Sequence, residues 1–143
     1  MNGRYIALAL CIGSLASACA GPKAPPEELL SLSEAQMKIR SYQTRAFDVK
    51  SQDKVVRGVV AALQDLGFII ERANAPMGLV TAGRFAPGGF IELTVTVRPK
   101  GSEQNEVRVN AWFNKQPLED PKAYQNFFTA VERSLFISSS SES

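Results

Sequence analysis

Two runs late in the chain alternate residue by residue between apolar and polar side chains. In residues 90–97, Ile91, Leu93, Val95 and Val97 take one parity, and Glu92, Thr94 and Thr96 the other. In residues 106–114, Val107, Val109, Ala111 and Phe113 alternate with Arg108, Asn110, Trp112 and Asn114. Successive Cβ atoms point to opposite faces of a sheet, so a period of two predicts strands with one covered and one wet face. The polar stretch between them, residues 99–105 (PKGSEQN), predicts a hairpin loop. An antiparallel sheet wetted on one side is the frame into which the rest must fit.

Upstream, residues 45–49 (RAFDV) predict a short strand with Phe47 and Val49 on one face. A helix follows. Ser51 caps it, Asp53 complements its dipole, and Val55, Val56, Val59, Val60, Leu63 and Leu66 form one apolar stripe. Gly67 ends it as a C′ glycine. Gly58, in its middle, costs about 1 kcal/mol against alanine, which points to close packing on a sheet. Residues 68–72 (FIIER) and 79–85 predict two more strands, with turns at 74–78 (NAPMG) and 86–89 (APGG). Asp120 and Pro121, an N-cap and an N1 proline, open a last helix. Its apolar face is Tyr124, Phe127, Phe128, Val131 and Leu135. Residues 138–143, mostly serine, predict a disordered tail.

The element order is β-α-β-β-β-β-α. It predicts an α+β fold: a single, mostly antiparallel sheet of about five strands with two helices packed on one face. The globular domain is expected over residues 43–137.

The beginning of the chain carries a different message. Arg4 and the apolar residues 6–15 (IALALCIGSL) have the form of a secretory signal. Roughly ten apolar residues are too few to span a hydrocarbon core, which takes about 20. Leu15, Ala16, Ser17 and Ala18 then lead into Cys19. This run resembles a lipobox, the recognition site of signal peptidase II. It implies a leader of residues 1–18, removed before a Cys19 that carries diacylglycerol and further acyl chains. Two or three chains anchor stably, whereas one is marginal. The alternative is a plain secretory signal cut near Ala18 or Ala20. By analogy with Gram-negative sorting, Ala20 after the cysteine directs the protein to the outer membrane, on the periplasmic side. Residues 19–42 then comprise the lipidated cysteine, a Pro-rich tether (GPKAPP, 21–26) and a stretch of imperfect helical character over 27–40, read as a connector.

Both cysteines, Cys11 and Cys19, lie in this leader region, and the chain has no histidine. The expected domain therefore has no disulfide, no free thiol and no usual zinc ligand set. Nucleophilic catalysis needs a nucleophile and an activating base, and no Ser–Lys or Ser–carboxylate spacing suggests one. Glu27–Glu28 and Glu119–Asp120 sit at predicted helix starts, where the dipole explains them. Gly88 and Gly89 precede a strand, not a helix, so they form a turn rather than a phosphate cradle. The net charge of +2 is spread over scattered residues, which argues against nucleic acid as a partner. No enzyme activity, cofactor or metal is expected.

Two stretches resemble a family of uncharacterised bacterial outer-membrane lipoproteins. One is QTRAFD (43–48), followed by LQDLGF (63–68) and Gly78; the other is DPKAYQNFF (120–128), running on to SLF (134–136). That family often has aspartate where Ser51 stands, and a Gly/Ala-rich insert where this chain has only the 86–89 turn. The element order is also similar to the helix-grip domains of the outer-membrane assembly lipoprotein BamC. These resemblances imply location and fold. They bring no activity.

Trp112 is the most informative residue of the domain. Strand parity places it on the wet face with Arg108, Asn110 and Asn114, a set suited to anchoring a partner, since Trp and Arg are enriched in interface hot spots. The competing reading is that the connector or tail folds over it, or that it simply packs on Thr94, Thr96 and Arg84. Arg45 is read as a core-edge residue whose head pairs with Asp48 or Glu71. The expected function is a non-catalytic interaction module: membrane-anchored through Cys19 and docked on an envelope protein. The alternative is a carrier or sensor holding an apolar ligand or lipid between sheet and helices, in a cavity lined by Phe47, Phe90, Phe113, Phe127 or Phe128. A cavity above ~300 Å³ would favour that alternative.

Overall fold

A computed structural model describes residues 33–140. In chain order the elements are α1 (Glu34–Tyr42), β1 (Thr44–Phe47), α2 (Gln52–Asp65), β2 (Ile69–Asn74), β3 (Leu79–Ala86), β4 (Gly89–Lys100), β5 (Gln104–Phe113), β6 (Gln116–Pro117) and α3 (Pro121–Ser140). The strands make one antiparallel sheet in the order β1-β5-β4-β3-β2, with the short β6 added to β5. The fold is α+β, as expected, with six strands where about five were predicted.

Parity decides which face is covered. Val80, Ala82, Leu93, Val95, Val97, Val107, Val109 and Ala111 are buried and form one core with side chains of α2 and α3. From α2 come Val55, Val56, Val59, Ala62 and Leu63, with Val60 and Leu66 at the margin. Each fully buried Val or Leu contributes about 1.5–3 kcal/mol, so this layer is the main source of stability. Ser51 accepts from the Lys54 N–H as the N-cap of α2, and Gly67 follows the C-cap at φ +80.

Gly58 packs elsewhere than expected. An ideal Cβ built on it would lie 2.7 Å from Cδ2 of Leu135 on α3, so the missing side chain lets two helices approach rather than a helix and a sheet. Gly58→Leu is therefore expected to overpack the α2–α3 contact and destabilise the domain by about 2 kcal/mol. Urea unfolding measures this. A loss under about 0.5 kcal/mol would mean that the helices do not meet there.

Several boundaries differ from the sequence reading. The loop expected over residues 99–105 shrinks to Gly101, Ser102 and Glu103, because Lys100 and Gln104 are already paired. Asn105, read as a loop residue, is wholly buried instead. Its Nδ2 donates to the carbonyls of Val49 and Lys50, 2.6 and 3.2 Å away, tying β5 to the connection between β1 and α2. The serine tail is helical through Ser140. The hydroxyls of Ser138, Ser139 and Ser140 donate back to the carbonyls of Leu135 and Phe136, so the helix satisfies them internally.

The connector contains a capped helix. Ser33 and Gln36 form a reciprocal capping box at the start of α1, yet no α1 residue is buried. The Gln43 carbonyl that follows accepts from the Val109 N–H and joins this segment to the sheet. Arg45 also differs from expectation. It lies on the helix side, its guanidinium 4.9 Å from the centre of the Phe128 ring and 3.2 Å from Glu132, not on Asp48 or Glu71. Its strand parity with Phe47 sends the head toward α3.

Candidate functional site

The open face of the sheet is built from cross-strand rows, since residues directly opposite each other share a face. One row runs Ile69, Gly83, Glu92, Trp112 and Pro117 across five strands. The next holds Arg72, Thr81, Thr94 and Asn110, and the one beyond it Asn74, Leu79, Thr96, Arg108 and Thr44. Past the first row, Phe85 and Phe90 stand opposite each other with ring centres 4.9 Å apart.

The chemistry of this face is graded. Its apolar end carries Ile69 at 70% and Phe85 at 82% exposure, with Phe90 and Trp112 partly exposed. Phe90 leans over Gly83, where an ideal Cβ would sit 2.4 Å from the ring, so a glycine there is what lets the ring lie flat across the sheet. Toward the middle the face turns polar. Glu71, Arg72, Thr81, Glu92, Thr94 and Trp112 border a shallow basin of about 490 Å³.

The four residues expected to anchor a partner do not stay together. Trp112 and Asn110 lie on the open face, as parity requires. Arg108 does too, and its Nε donates to Thr44 Oγ1 at 3.3 Å. Arg108 and Asn110 share a second depression with Gln36, Ile39 and Arg40 of α1, so the connector helix borders these two residues. Among the described residues it does not line the basin of Trp112.

Asn114 is a correction. The alternation stops at Phe113, and Asn114 with Lys115 forms a tight turn at φ +48 and +65. Its Oδ1 accepts from the Phe90 N–H and its Nδ2 donates to the Gly88 carbonyl, each at 3.0 Å. The residue clamps two hairpin ends from an exposed turn, outside the strand alternation that was expected to place it beside Trp112. Asparagine tolerates the left-handed region better than most residues, which explains its place.

The helix side holds a cleft of about 310 Å³ between the sheet, the end of α2 and the start of α3. Leu66, Phe68, Ile91, Leu93, Leu118 and Phe127 are among its walls, and Arg84 and Asn126 are polar groups on its margin. Of the phenylalanines expected to line such a cavity only Phe127 does so. Phe47 and Phe128 are in the core, Phe90 is on the opposite face, and Phe113 is not among the walls. Beside the cleft, the Tyr124 hydroxyl donates to the Leu118 carbonyl and accepts from the side-chain Nε2 of Gln43, closing the chain over the sheet edge.

Sequence reasoning missed Ile69, Phe85 and Phe90 as companions of Trp112. A signal existed for Phe90, which has the parity of Glu92, Thr94 and Thr96 and so belonged on the wet face. For Ile69 and Phe85 the register was needed. The lipobox residues Leu15, Ala16, Ser17, Ala18 and Cys19 and the tether lie outside the described residues. At the other helix start, Asp120 Oδ1 accepts from the Lys122 N–H, a capping contact at the head of α3. Among the described residues no helix is long and apolar enough to cross a membrane, and no three His, Cys, Asp or Glu residues gather as a metal site. Compared with known proteins, the sequence matches no family model and no curated protein.

Proposed function

We propose that the chain is a lipid-anchored lipoprotein of the outer membrane, facing the periplasm, and that its domain docks without catalysis on an envelope protein through the open sheet face. The address rests on the run from Leu15 to Cys19 and on the resemblance to outer-membrane lipoproteins. The docking role rests on one observation: Ile69, Phe85, Phe90 and Trp112 form an exposed apolar end on an otherwise polar face. A cluster of aromatic side chains beside charged residues has the composition of an interface centre with a polar rim.

In-cell photo-crosslinking from position 112 tests this, in the wild type and in Cys19→Ala, which blocks lipidation. The expected result is a discrete protein adduct that depends on Cys19. Adducts confined to the protein's own chain would sink the docking reading. An adduct that is unchanged in Cys19→Ala would remove the membrane anchor from it.

A specific observation also favours a second reading. The cleft of about 310 Å³ reaches the size at which small-ligand sites begin, and its walls are largely apolar. In this reading the domain carries or senses an apolar ligand between sheet and helices.

A further inference from the structure

Arg84 lies on the covered side of β3, in the parity of the buried Val80 and Ala82. Its guanidinium stands 4.9 Å from the centre of the Phe68 ring, and Nη1 donates to the Leu66 carbonyl at 2.9 Å. Leu66 is the C-cap of α2, so the cation rests against the negative end of that helix. These contacts hold the head in place and engage one of its five N–H groups. Its buried Nε has no hydrogen-bond partner. Among the described residues no carboxylate forms an ion pair with it.

The same side chain forms part of the cleft wall, next to Phe68, Ile91 and Leu93. A fixed cation with no acid partner among the described residues, in the wall of an apolar cleft, is complementary to an apolar chain ending in an anion. We infer that the cleft binds the acyl chain of a monocarboxylic acid of fatty-acid type, with its carboxylate on the guanidinium of Arg84. This deepens the second reading above and rests on the cleft being a ligand site. The planar guanidinium matches a carboxylate with two parallel N–H···O bonds, whereas an alcohol or a neutral ester cannot neutralise it. The volume suits one short chain. A two-chain phospholipid needs more room than about 310 Å³.

The test uses the full-length protein in phosphatidylcholine vesicles. The probes are decanoic acid bearing a terminal diazirine and the corresponding decanol, with adducts mapped by mass spectrometry after illumination. In the wild type the acid is expected to label β4, β5 and α3 around Leu93, Val109 and Phe127, and excess decanoate should compete while decanol does not. Arg84→Gln should lower acid labelling on the order of ten-fold and leave alcohol labelling unchanged. Ala123→Trp, which fills the cleft from α3 without replacing Arg84, should suppress both probes.

Labelling spread over the surface, with the cleft untouched, would overturn the ligand site itself. Cleft labelling by acid and alcohol alike, with decanol competing as well as decanoate in the wild type, would overturn the acid anchor and leave the apolar site standing. Labelling of the cleft by a diazirine phosphatidylglycerol but not by the acid would assign it to membrane lipid and overturn the free-acid reading. The competition arm needs no variant, so a failure of Arg84→Gln to fold leaves the inference open to refutation.

Discussion

Phe128→Ala is expected to cost about 3–5 kcal/mol, a large part of the total stability of a domain this size. Phe128 is 2% exposed and stands where α3 meets the edge of the sheet. Its ring lies 5.1 Å from that of Phe127 and 6.3 Å from that of Phe47 on β1. Arg45 covers its outer face and is held there by Glu132. Truncation opens a cavity whose walls belong to a strand and a helix, neither free to collapse alone, and it removes the platform on which the Arg45 cation sits. Thermal denaturation should show Tm falling by more than about 10 °C, and Phe128→Leu should recover much of the loss. A fall of a degree or two for the alanine variant would mean that α3 does not close the core at this point.

The second large effect is expected at Asn105, where the lost quantity is polar. Asn105 is fully buried, its Nδ2 serves the carbonyls of Val49 and Lys50, and its Oδ1 has no partner. The residue therefore acts through its donors. Asn105→Ala takes the donor from the Val49 and Lys50 carbonyls, opens a cavity at a fully buried position and should cost about 1–3 kcal/mol. Asn105→Asp should be worse at neutral pH, because an ionised carboxylate would be fully buried and face two carbonyl oxygens. Urea unfolding of the three proteins orders them wild type, Ala, Asp. An Asp variant as stable as the wild type would show that water, not Asn105, satisfies these carbonyls.

Neither substitution touches the open face. Phe128 and Asn105 act on the covered side and at the β1–α2 connection, whereas Ile69, Phe85, Phe90 and Trp112 lie across the sheet from them. Loss of docking from a change at Trp112 can thus be separated from loss of fold by the same unfolding measurement. The cleft beside Arg84 is on the covered side as well, so the two proposed sites are independent surfaces of one sheet.

What the chain determined by itself is local. Parity set the buried face of β4 and β5, the stripe from Val55 to Leu63 set the face of α2, and Ser51, Gly67, Asp120 and Pro121 set helix ends. Each of these signals acts over a few residues, through Cβ direction, an orphan N–H or a forbidden φ, so each can be read without knowing what lies across the sheet. Tertiary structure decided the rest. Gly58 met Leu135, Arg45 met Glu132, Asn105 became buried, and Asn114 left the strand for a turn that joins two hairpin ends. The same holds for the two candidate sites. Ile69 and Trp112 are 43 positions apart by their numbers and share a row only through the register of four strands. Among the described residues Arg84 lacks an acid partner only because of what the fold brings near it. Register and pairing are long-range choices, made by which faces can be buried together, and no short window of sequence contains them.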